Sequence, residues 1–374
     1  MDLSTRAQLD ELLTYGAEAL DLTPTQYDDA VQKYQSVGTW LNKPGTLLAP
    51  ADPLIYPQGS IAIGTATKPV GRDEFDLDLV CQLQIGAGMS PAALKRAIGQ
   101  RLRENALYRE RLEEKNRCWR IVYAGEFHMD ILPGRPDPRF VHGTALLVPD
   151  KELAAWKETD PKGYAAWFAE RSRLSIAASK GIRADVEAPP PSPQTSTKTP
   201  LQLAVQILKR HRDLSLGDDK DAPISIIITT LAASAYVGQD SVFDTLHHLI
   251  LRMPSFIETD AAGEAVVRNP VNPLENFADK WREEPRKKQR FFEWLQAASR
   301  DLERLSRTSL PETVKALAPL VGERAGSEAV RRYGARIQDQ RTTGLRGLAA
   351  TGALGVTSTQ ARPIPRQTFF GRDS

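Results

Sequence analysis

The sequence has few residues that bind metals through sulfur or imidazole. Its 374 residues include two cysteines, Cys81 and Cys118, and five histidines. Two cysteines cannot form a disulfide framework and are too few for a cysteine-rich zinc site. The histidines form no ligand cluster, and the adjacent His247 and His248 cannot share a helix face well. These shortages exclude disulfide-stapled domains and cysteine-rich zinc proteins.

Strong net charge and long apolar runs are also missing. The 49 basic and 47 acidic residues leave a net charge of +2, which gives no strong steering toward nucleic acid. The longest apolar run, residues 224–237, is too short and too interrupted to span a bilayer. The N-terminus lacks the pattern of a signal peptide. We therefore expect a cytoplasmic protein without membrane contact and without a strong nucleic-acid signal.

A chain of this length buries a sizeable core and is expected to divide into two lobes. Its 41% hydrophobic and 26% charged content is ordinary for a globular protein. Thr23 and Gln26, with a proline between them, form a helix-start signature, and apolar residues then recur at helical spacing as far as Leu41. The same signature begins another helix at Thr199.

The other elements follow from periodicity. Strands are expected at residues 55–65, 75–84, 119–123 and 126–132, and helices at residues 91–103, 150–173, 223–236, 243–252 and 290–305. The proline-rich residues 188–199 predict a loop. The sequence thus predicts an α+β fold, with a spine helix and mixed sheet in residues 1–187 and a mainly helical lobe in residues 200–325. Residues 326–374 are expected to form a C-terminal helix and a flexible, arginine-containing tail.

Three aspartates lie in two apolar strand patterns. Asp76 and Asp78 alternate with apolar residues, so both carboxylates project from one face of an extended strand. Asp130 lies in the second pattern, within residues 127–132. If the two strands are neighbours, the three carboxylates converge, which is costly without cations because like charges repel. Oxygen ligands of this kind favour two Mg²⁺ or Mn²⁺ ions.

Gly59 and Ser60 precede the acidic pair in a small-residue turn, where backbone N–H groups and the Ser60 hydroxyl can contact phosphate. Each motif also has an ordinary interpretation when taken alone. Asp-x-Asp occurs on solvated strand faces, and Gly-Ser occurs in common turns. The ordered occurrence of all the motifs within about 70 residues favours a phosphate and metal site.

This combination resembles the motif of the polymerase-β-like nucleotidyltransferase superfamily. More narrowly, the chain is similar to the bacterial cGAS/DncV-like nucleotidyltransferases, the oligonucleotide cyclases of CBASS anti-phage signalling. The similar parts are, in order, Gln58-Gly59-Ser60, Asp76-Leu77-Asp78 and Asp130. The motif core covers residues 57–132, and the layout is similar up to about residue 320. The gap between Ser60 and Asp76 is longer than in the tightest versions of the motif.

The resemblance implies an active site in the cleft between a nucleotidyltransferase palm and the helical lobe. Asp76 and Asp78 would bind both metal ions, and Asp130 would bind the ion that activates the attacking hydroxyl. Gly59 and Ser60 would bind the nucleotide triphosphate.

Two residues of the second lobe join this set by the same resemblance. Lys209 is similar to a helix lysine that contacts the triphosphate, and Ser225 is similar to a serine at the phosphate tail. Each has an alternative interpretation from the sequence. Lys209 lies in a basic run that is typical of a solvated helix end, and Ser225 suits a helix N-cap.

The activity that the resemblance implies is condensation of NTPs, ATP or GTP among them, into a cyclic di- or trinucleotide second messenger with release of pyrophosphate. The messenger would activate a downstream effector in anti-phage defence. Two alternatives remain open at this point: a non-cyclising nucleotidyltransferase that modifies RNA or protein, and an inactive nucleotide-sensing scaffold. Base identity, ring size and linkage do not follow from the sequence.

The C-terminal tail carries an apolar island at residues 367–371. Similar aromatic-glycine endings occur on cyclases that an E2-like or E1/E2-like partner conjugates to targets, which implies a conjugation partner here. The three residues after Gly371 depart from that ending. The alternative interpretation is a solvated, disordered end.

Overall fold

The structure, a computed structural model, describes residues 3–71, 75–84, 88–125, 127–140, 143–152, 154–172, 198–308 and 312–343, with three short strands beyond them. The helices are α1 (Leu3–Glu18), α2 (Pro24–Leu41), α3 (Gly59–Ala62), α4 (Pro91–Arg103), α5 (Ala106–Arg109), α6 (Pro161–Arg171), α7 (Pro200–Leu216), α8 (Ser225–Ala235), α9 (Val242–Arg252), α10 (Lys280–Glu283), α11 (Pro285–Arg307), α12 (Thr313–Val321) and α13 (Glu323–Thr342). The strands are β1 (Leu54–Pro57), β2 (Phe75–Gln82), β3 (Leu112–Glu114), β4 (Trp119–Tyr123), β5 (Phe127–Pro136), β6 (Leu146–Asp150), β7 (Ala155–Thr159), β8 (Glu258–Thr259), β9 (Ala265–Val266), β10 (Arg268–Asn269), β11 (Asn272–Asn276), β12 (Arg346–Leu348), β13 (Leu354–Val356) and β14 (Arg362–Pro363).

A mixed seven-stranded sheet lies in the N-terminal half of the chain. Its main path runs in the order β1-β2-β5-β4-β3, and β6 pairs with both β5 and β7. β2 and β5 run parallel, whereas the other pairs of this sheet run antiparallel. This mixed sheet with helices around it confirms the predicted α+β fold.

The predicted spine helix is confirmed as α2. The Thr23 hydroxyl accepts a hydrogen bond from Gln26 N at 3.2 Å, and the Gln26 side chain accepts one from Thr23 N at 3.0 Å. This capping box satisfies backbone donors that a helix start otherwise leaves free. The apolar face of α2 is buried in the core of the sheet lobe, where Tyr34 donates to the Ile55 carbonyl.

Two large hydrophobic cores divide the described residues. One lies between the sheet, α2 and α4, and the other lies among α7, α8, α9, α11 and α12. The N-terminal helix α1, which periodicity did not predict, contributes Leu9, Leu12 and Leu13 to the second core. By its packing, α1 therefore contacts the helical lobe, and the predicted grouping of residues 1–187 stays a prediction.

The helix predicted at residues 150–173 is wrong in its first half. β6 and β7 form an antiparallel hairpin there, with Trp156 on the second strand opposite Pro149. The helix α6 begins only at Pro161, and the Asp160 side chain caps it by accepting from Gly163 N at 2.9 Å. Cross-strand pairing within this hairpin satisfies the backbone of residues 155–159 and overrides the local helical spacing.

The strand predicted at residues 55–65 is also shorter than expected. It ends at Pro57, and the short helix α3 follows from Gly59. Gly59 has a φ of +62°, which an extended strand does not allow and which glycine adopts without strain. This turn brings the chain close to Asp78 on β2.

The end of the chain differs in part from the predicted flexible tail. β12 pairs antiparallel with both β13 and β14. The apolar island at residues 367–371 and most of the proline-rich residues 188–199 lie outside the described residues. In the part of the chain that the structure describes, no helix is long and apolar enough to cross a membrane.

Candidate active site

The three aspartates lie on neighbouring parallel strands. In the pairing of β2 with β5, Asp78 lies opposite Asp130, and Asp76 lies opposite His128. Leu77, between the first two aspartates, is buried on the other side of the sheet. The register therefore places all three carboxylates on one face, as the strand period predicts.

Arg120, which the sequence analysis did not identify, lies among these carboxylates. It is on β4, directly opposite Asp130. Its Nε donates to Asp130 Oδ1 at 2.7 Å, and its Nη2 donates to Asp130 Oδ2 at 2.8 Å and to Asp76 Oδ1 at 3.3 Å. The guanidinium thus neutralises part of the acidic cluster. The sequence signal was weak, namely a charged residue between buried Trp119 and Ile121 in a strand.

Burial and repulsion make the ionised forms of Asp76 and Asp78 unfavourable. Burial, together with the nearby charges of Asp130 and Asp76, raises the pKa of Asp78 to about 7. The pKa of Asp76 is also raised, chiefly by burial, although Arg120 opposes the change. The Asp76 side chain is 57% exposed, so solvent screening makes this effect weaker than the one at Asp78. A multivalent cation at this face would offset the charge repulsion.

The donor atoms suit a hard divalent cation, which prefers carboxylate oxygens. Among the described residues, no group of three or more histidine, cysteine, aspartate or glutamate side chains is arranged to enclose a metal ion. Instead, Arg120 forms ion pairs with Asp130 and Asp76. The predicted convergence of the three carboxylates is therefore limited to a shared face, with a guanidinium between two of them.

Gly59 and Ser60 lie at the turn beside Asp78. The Gln58 N–H donates to the Asp78 carbonyl at 2.9 Å, which fixes the turn against β2. A Cβ atom at Gly59 would lie 2.3 Å from Asp78 Oδ2. A side chain at this position would force the carboxylate or the turn to move, so both the positive φ and the close approach of the carboxylate favour glycine. The turn and the acidic pair therefore form one unit.

One face of α7 fixes the loop that follows this turn. Its polar side chains recur at positions i, i+4, i+7 and i+8, which lie on one side of a helix. The donor and backbone acceptor pairs are Gln202 to Ile63 (3.0 Å), Gln206 to Ala66 (2.7 Å), Lys209 to Thr65 (2.9 Å) and Arg210 to Lys68. These bonds hold residues 63–68 against the second lobe. The sequence signal was present, since Gln202 and Gln206 interrupt the apolar first half of this helix.

Lys209 is buried, with only 8% of its surface exposed. Its alternative interpretation as a solvated helix end is therefore wrong. Burial and the neighbouring charge of Arg212 lower its pKa to about 8, although Asp213 and Asp78 act in the opposite direction. The structure thus brings a buried cation within electrostatic reach of Asp78.

Ser225 is the first residue of α8, and the N-cap is Ile224. The alternative interpretation of Ser225 as the N-cap is therefore wrong. Its hydroxyl accepts a hydrogen bond from Arg212 Nη2 at 3.1 Å. Arg212 also donates to the Pro223 carbonyl at 2.6 Å, so this arginine ties the start of α8 to α7.

A cavity of about 770 Å³ brings these groups together. Its volume is in the range of small-molecule sites. Most of the predicted site residues line it, namely Gly59, Ser60, Asp76, Asp78, Lys209 and Ser225. Asp130 lies beside the cavity, in contact with Arg120 and not in the cavity wall.

This chain is similar to known proteins over most of its length. A model of the Second Messenger Oligonucleotide or Dinucleotide Synthetase domain matches residues 4–172. The chain is 31% identical to a c-di-GMP synthase of Roseivirga ehrenbergii over 376 residues, which cover 98% of both chains. It is 26% identical to the cyclic dinucleotide synthase CdnG of Bradyrhizobium diazoefficiens over 381 residues, which cover 94% of this chain and 90% of that protein.

Solved structures show the same fold. The structure of B. diazoefficiens CdnG in complex with GTP is similar with a TM-score of 0.69 and 27% identity, covering 87% of this chain and 99% of that one. Apo DncV of Vibrio cholerae is similar in fold, with a TM-score of 0.52 and 15% identity, covering 88% and 92%. The chain therefore belongs to the cGAS/DncV-like nucleotidyltransferases, the family of cyclic-oligonucleotide synthases.

Proposed function

We propose that this nucleotidyltransferase joins two molecules of GTP into a cyclic dinucleotide. In each of two rounds, a ribose hydroxyl oxygen bonds to the α-phosphorus of the other nucleotide. The bond from that phosphorus to the bridging oxygen breaks, pyrophosphate leaves, and the hydroxyl proton passes to solvent. The observation that carries this proposal is the cavity in which the acidic pair, the Gly59 turn and buried Lys209 meet.

Asp76, Asp78 and Asp130 would hold two Mg²⁺ or Mn²⁺ ions, as their shared face and oxygen donors favour. Bound ions of this kind stabilise developing charge and activate a hydroxyl at neutral pH. Asp76 and Asp78 would contribute to both ions and Asp130 to one. When the ions bind, Arg120 would give up its hydrogen bonds to Asp130 and Asp76, and the ions would take its place.

The rest of the site would bind the triphosphate. Gly59 and Ser60 offer backbone N–H groups and a hydroxyl, which suit phosphate oxygens. Lys209 offers a buried positive charge, and Ser225 offers a second hydroxyl in the same cavity. The choice of GTP follows the relative named as a c-di-GMP synthase and the solved CdnG complex with GTP.

The cellular setting belongs to the same proposal. The enzyme would act in the cytoplasm in anti-phage defence, and its product would activate a downstream effector. An E2-like or E1/E2-like partner would conjugate the C-terminal tail. Deleting residues 368–374 would then abolish partner binding and in-cell activity, and unchanged activity would contradict the tail's role.

The direct test is incubation of the purified chain with all four NTPs and Mg²⁺ or Mn²⁺, followed by phosphatase treatment and mass spectrometry. A phosphatase-resistant cyclic di-GMP is the expected product. A cyclic product with other bases would overturn the choice of GTP. Transfer of label to RNA or protein without a cyclic product would favour the non-cyclising alternative.

Divalent cations are expected to stabilise the folded protein in a pH-dependent way. Protons compete with the metal for Asp78, whose pKa is about 7 without metal. Millimolar Mg²⁺ should raise Tm by about 2 °C or more at pH 8, and by less at pH 6. Scanning calorimetry with Mg²⁺ or EDTA measures both shifts. The variant Asp78→Asn should lose the shift at pH 8, and an unchanged shift would contradict metal binding there.

Replacing Lys209 by methionine should raise KM for GTP about tenfold or more, because a charged contact to the triphosphate is lost. In the wild type, KM should also rise as pH passes about 8, where Lys209 loses its proton. Pyrophosphate release at a series of pH values measures both effects. In Lys209→Met, KM should not show the rise above about pH 8 that is due to Lys209. A wild-type KM in this variant would contradict the proposed contact of Lys209 with the triphosphate.

A further inference from the structure

A second wall of the cavity comes from the hairpin of β10 and β11, which carries none of the predicted site residues. Glu275 of β11 lines the cavity and is partly buried. Asn269 of β10, which is only 2% exposed, donates from Nδ2 to Glu275 Oε2 at 2.7 Å. The Asn269 side-chain oxygen accepts from Val271 N at 3.1 Å, and this bond fixes which end of the amide faces Glu275.

The carboxylate of Glu275 has acceptor capacity to spare. Among the residues that the structure describes, it accepts from the neutral side chains of Asn269 and Thr159. A carboxylate has about four acceptor positions, so these two donors leave about two for a ligand. A ligand with two adjacent N–H donors would fill the remaining acceptor positions of the Glu275 carboxylate.

The surroundings of Glu275 destabilise its ionised form, so N–H donors from a ligand would stabilise it. Burial raises the pKa of Glu275 to about 7, and the bonds from Asn269 and Thr159 only partly oppose this. The charged groups that act on it are Arg117, which lowers the pKa, and Asp160, which raises it. N–H donors from a ligand would stabilise the ionised form, and in a low-dielectric wall this gives strong discrimination between ligands.

Apolar side chains line the cavity beside this carboxylate. Leu274, next to Glu275 in the chain, is 54% exposed, and Ile224 at the start of α8 is 53% exposed. Both line the cavity, as does Phe277. Large exposed apolar side chains in a cavity wall suit a flat aromatic ligand with a polar edge. A nucleobase has this combination of faces and edge.

We infer that Glu275 selects guanine by accepting hydrogen bonds from N1–H and the 2-amino group of its Watson–Crick edge. Guanine presents two adjacent donors there, which match the two oxygens of one carboxylate. Adenine presents a lone pair at N1, cytosine presents one at N3, and uracil presents a single N–H between two carbonyls. Each of these would place an acceptor against the carboxylate. The inference rests on the proposed use of GTP by the same cavity.

The test compares GTP, ITP and ATP, because ITP differs from GTP only by the missing 2-amino group. Calorimetric binding in Mg²⁺ and pyrophosphate release are measured for the wild type and for Glu275→Gln, which keeps the shape but removes the charge. The wild type should prefer GTP over ITP at least tenfold and over ATP about a hundredfold or more. In Glu275→Gln, the preference over ITP should fall to within about threefold.

The control is Glu258→Gln, which removes an exposed carboxylate that pairs with Arg268 of the same hairpin. It should keep the wild-type preference. A wild type that binds GTP and ITP equally, or a folded Glu275→Gln that keeps the full preference, would overturn the inference. The binding data decide this even when no cyclic product forms, whereas the lack of a product from the wild type counts against the proposed function alone.

Discussion

The double variant Asp76→Asn, Asp78→Asn is expected to lose cyclic dinucleotide synthesis by at least about a thousandfold, or about 4 kcal/mol of transition-state stabilisation. Asparagine keeps the size of each side chain but removes the charges that would hold the ions. A time course of product formation by mass spectrometry, with pyrophosphate release beside it, measures the loss.

The same variant should be as stable as the wild type in EDTA, or more stable. The direction of this change in stability depends on Asp78, whose pKa is raised in the folded state. A carboxyl with a raised pKa stays protonated in the folded state where the unfolded chain has released its proton. The folded state therefore loses stability as pH rises from the ordinary aspartate range through about 7. Neutral asparagine removes this loss at pH 8, which urea unfolding can measure.

A matched control keeps the two effects apart. Glu113→Gln removes an exposed carboxylate from β3 of the same sheet, where it pairs with Lys115. This control should retain both synthesis and stability. If the double aspartate variant kept more than a tenth of wild-type synthesis, the proposed metal site would be wrong. If the variant were unfolded, the stabilities measured in EDTA would reveal it.

The acidic part of the site could be predicted because strand geometry is local. A period of two residues is enough to place Asp76 and Asp78 on one face, and the apolar residues between them indicate the buried side. The pairing of β2 with β5 joins residues far apart in the sequence, so the sequence predicts convergence of the carboxylates only if these strands are neighbours. The structure meets that condition with Asp78 opposite Asp130.

Arg120 and Glu275 could not be predicted for the same physical reason. Arg120 contacts Asp130 through the antiparallel register of β4 with β5, and no local pattern encodes that register. Glu275 lies almost 200 positions from Asp78 in the chain, yet both line one cavity. A charged residue in a short strand gives no sign of which cavity it will meet.

The basic run around Lys209 suggests a solvated helix end, and this interpretation is wrong for a different reason. Lysine, arginine and histidine in succession are typical of a solvated helix end. Here Lys209 and Arg210 instead donate to backbone carbonyls of the loop after Gly59, which compensates for their burial. The carbonyl acceptors belong to another lobe, so the sequence of the helix alone could not reveal them.

Gly59→Ala is expected to reduce synthesis about a hundredfold or more while the protein still folds. The new methyl group would lie 2.3 Å from Asp78 Oδ2, so either the carboxylate or the turn must move. Displacement of a catalytic group by about 1 Å is enough for a loss of this size. Steady-state kinetics should show the loss mainly in kcat, because Asp78 is proposed to hold the metal ions that act in the chemical step.

The positive φ of Gly59 adds backbone strain of about 1–2 kcal/mol for any other residue, and this strain must be separated from the contact with Asp78. Gly45→Ala provides the control, since Gly45 has a φ of +74° and a Cβ there would meet nothing within 4 Å. Both variants should lose similar stability to backbone strain, but only Gly59→Ala should lose synthesis. Equal activity in the two variants would show that the approach of the turn to Asp78 is not needed for catalysis.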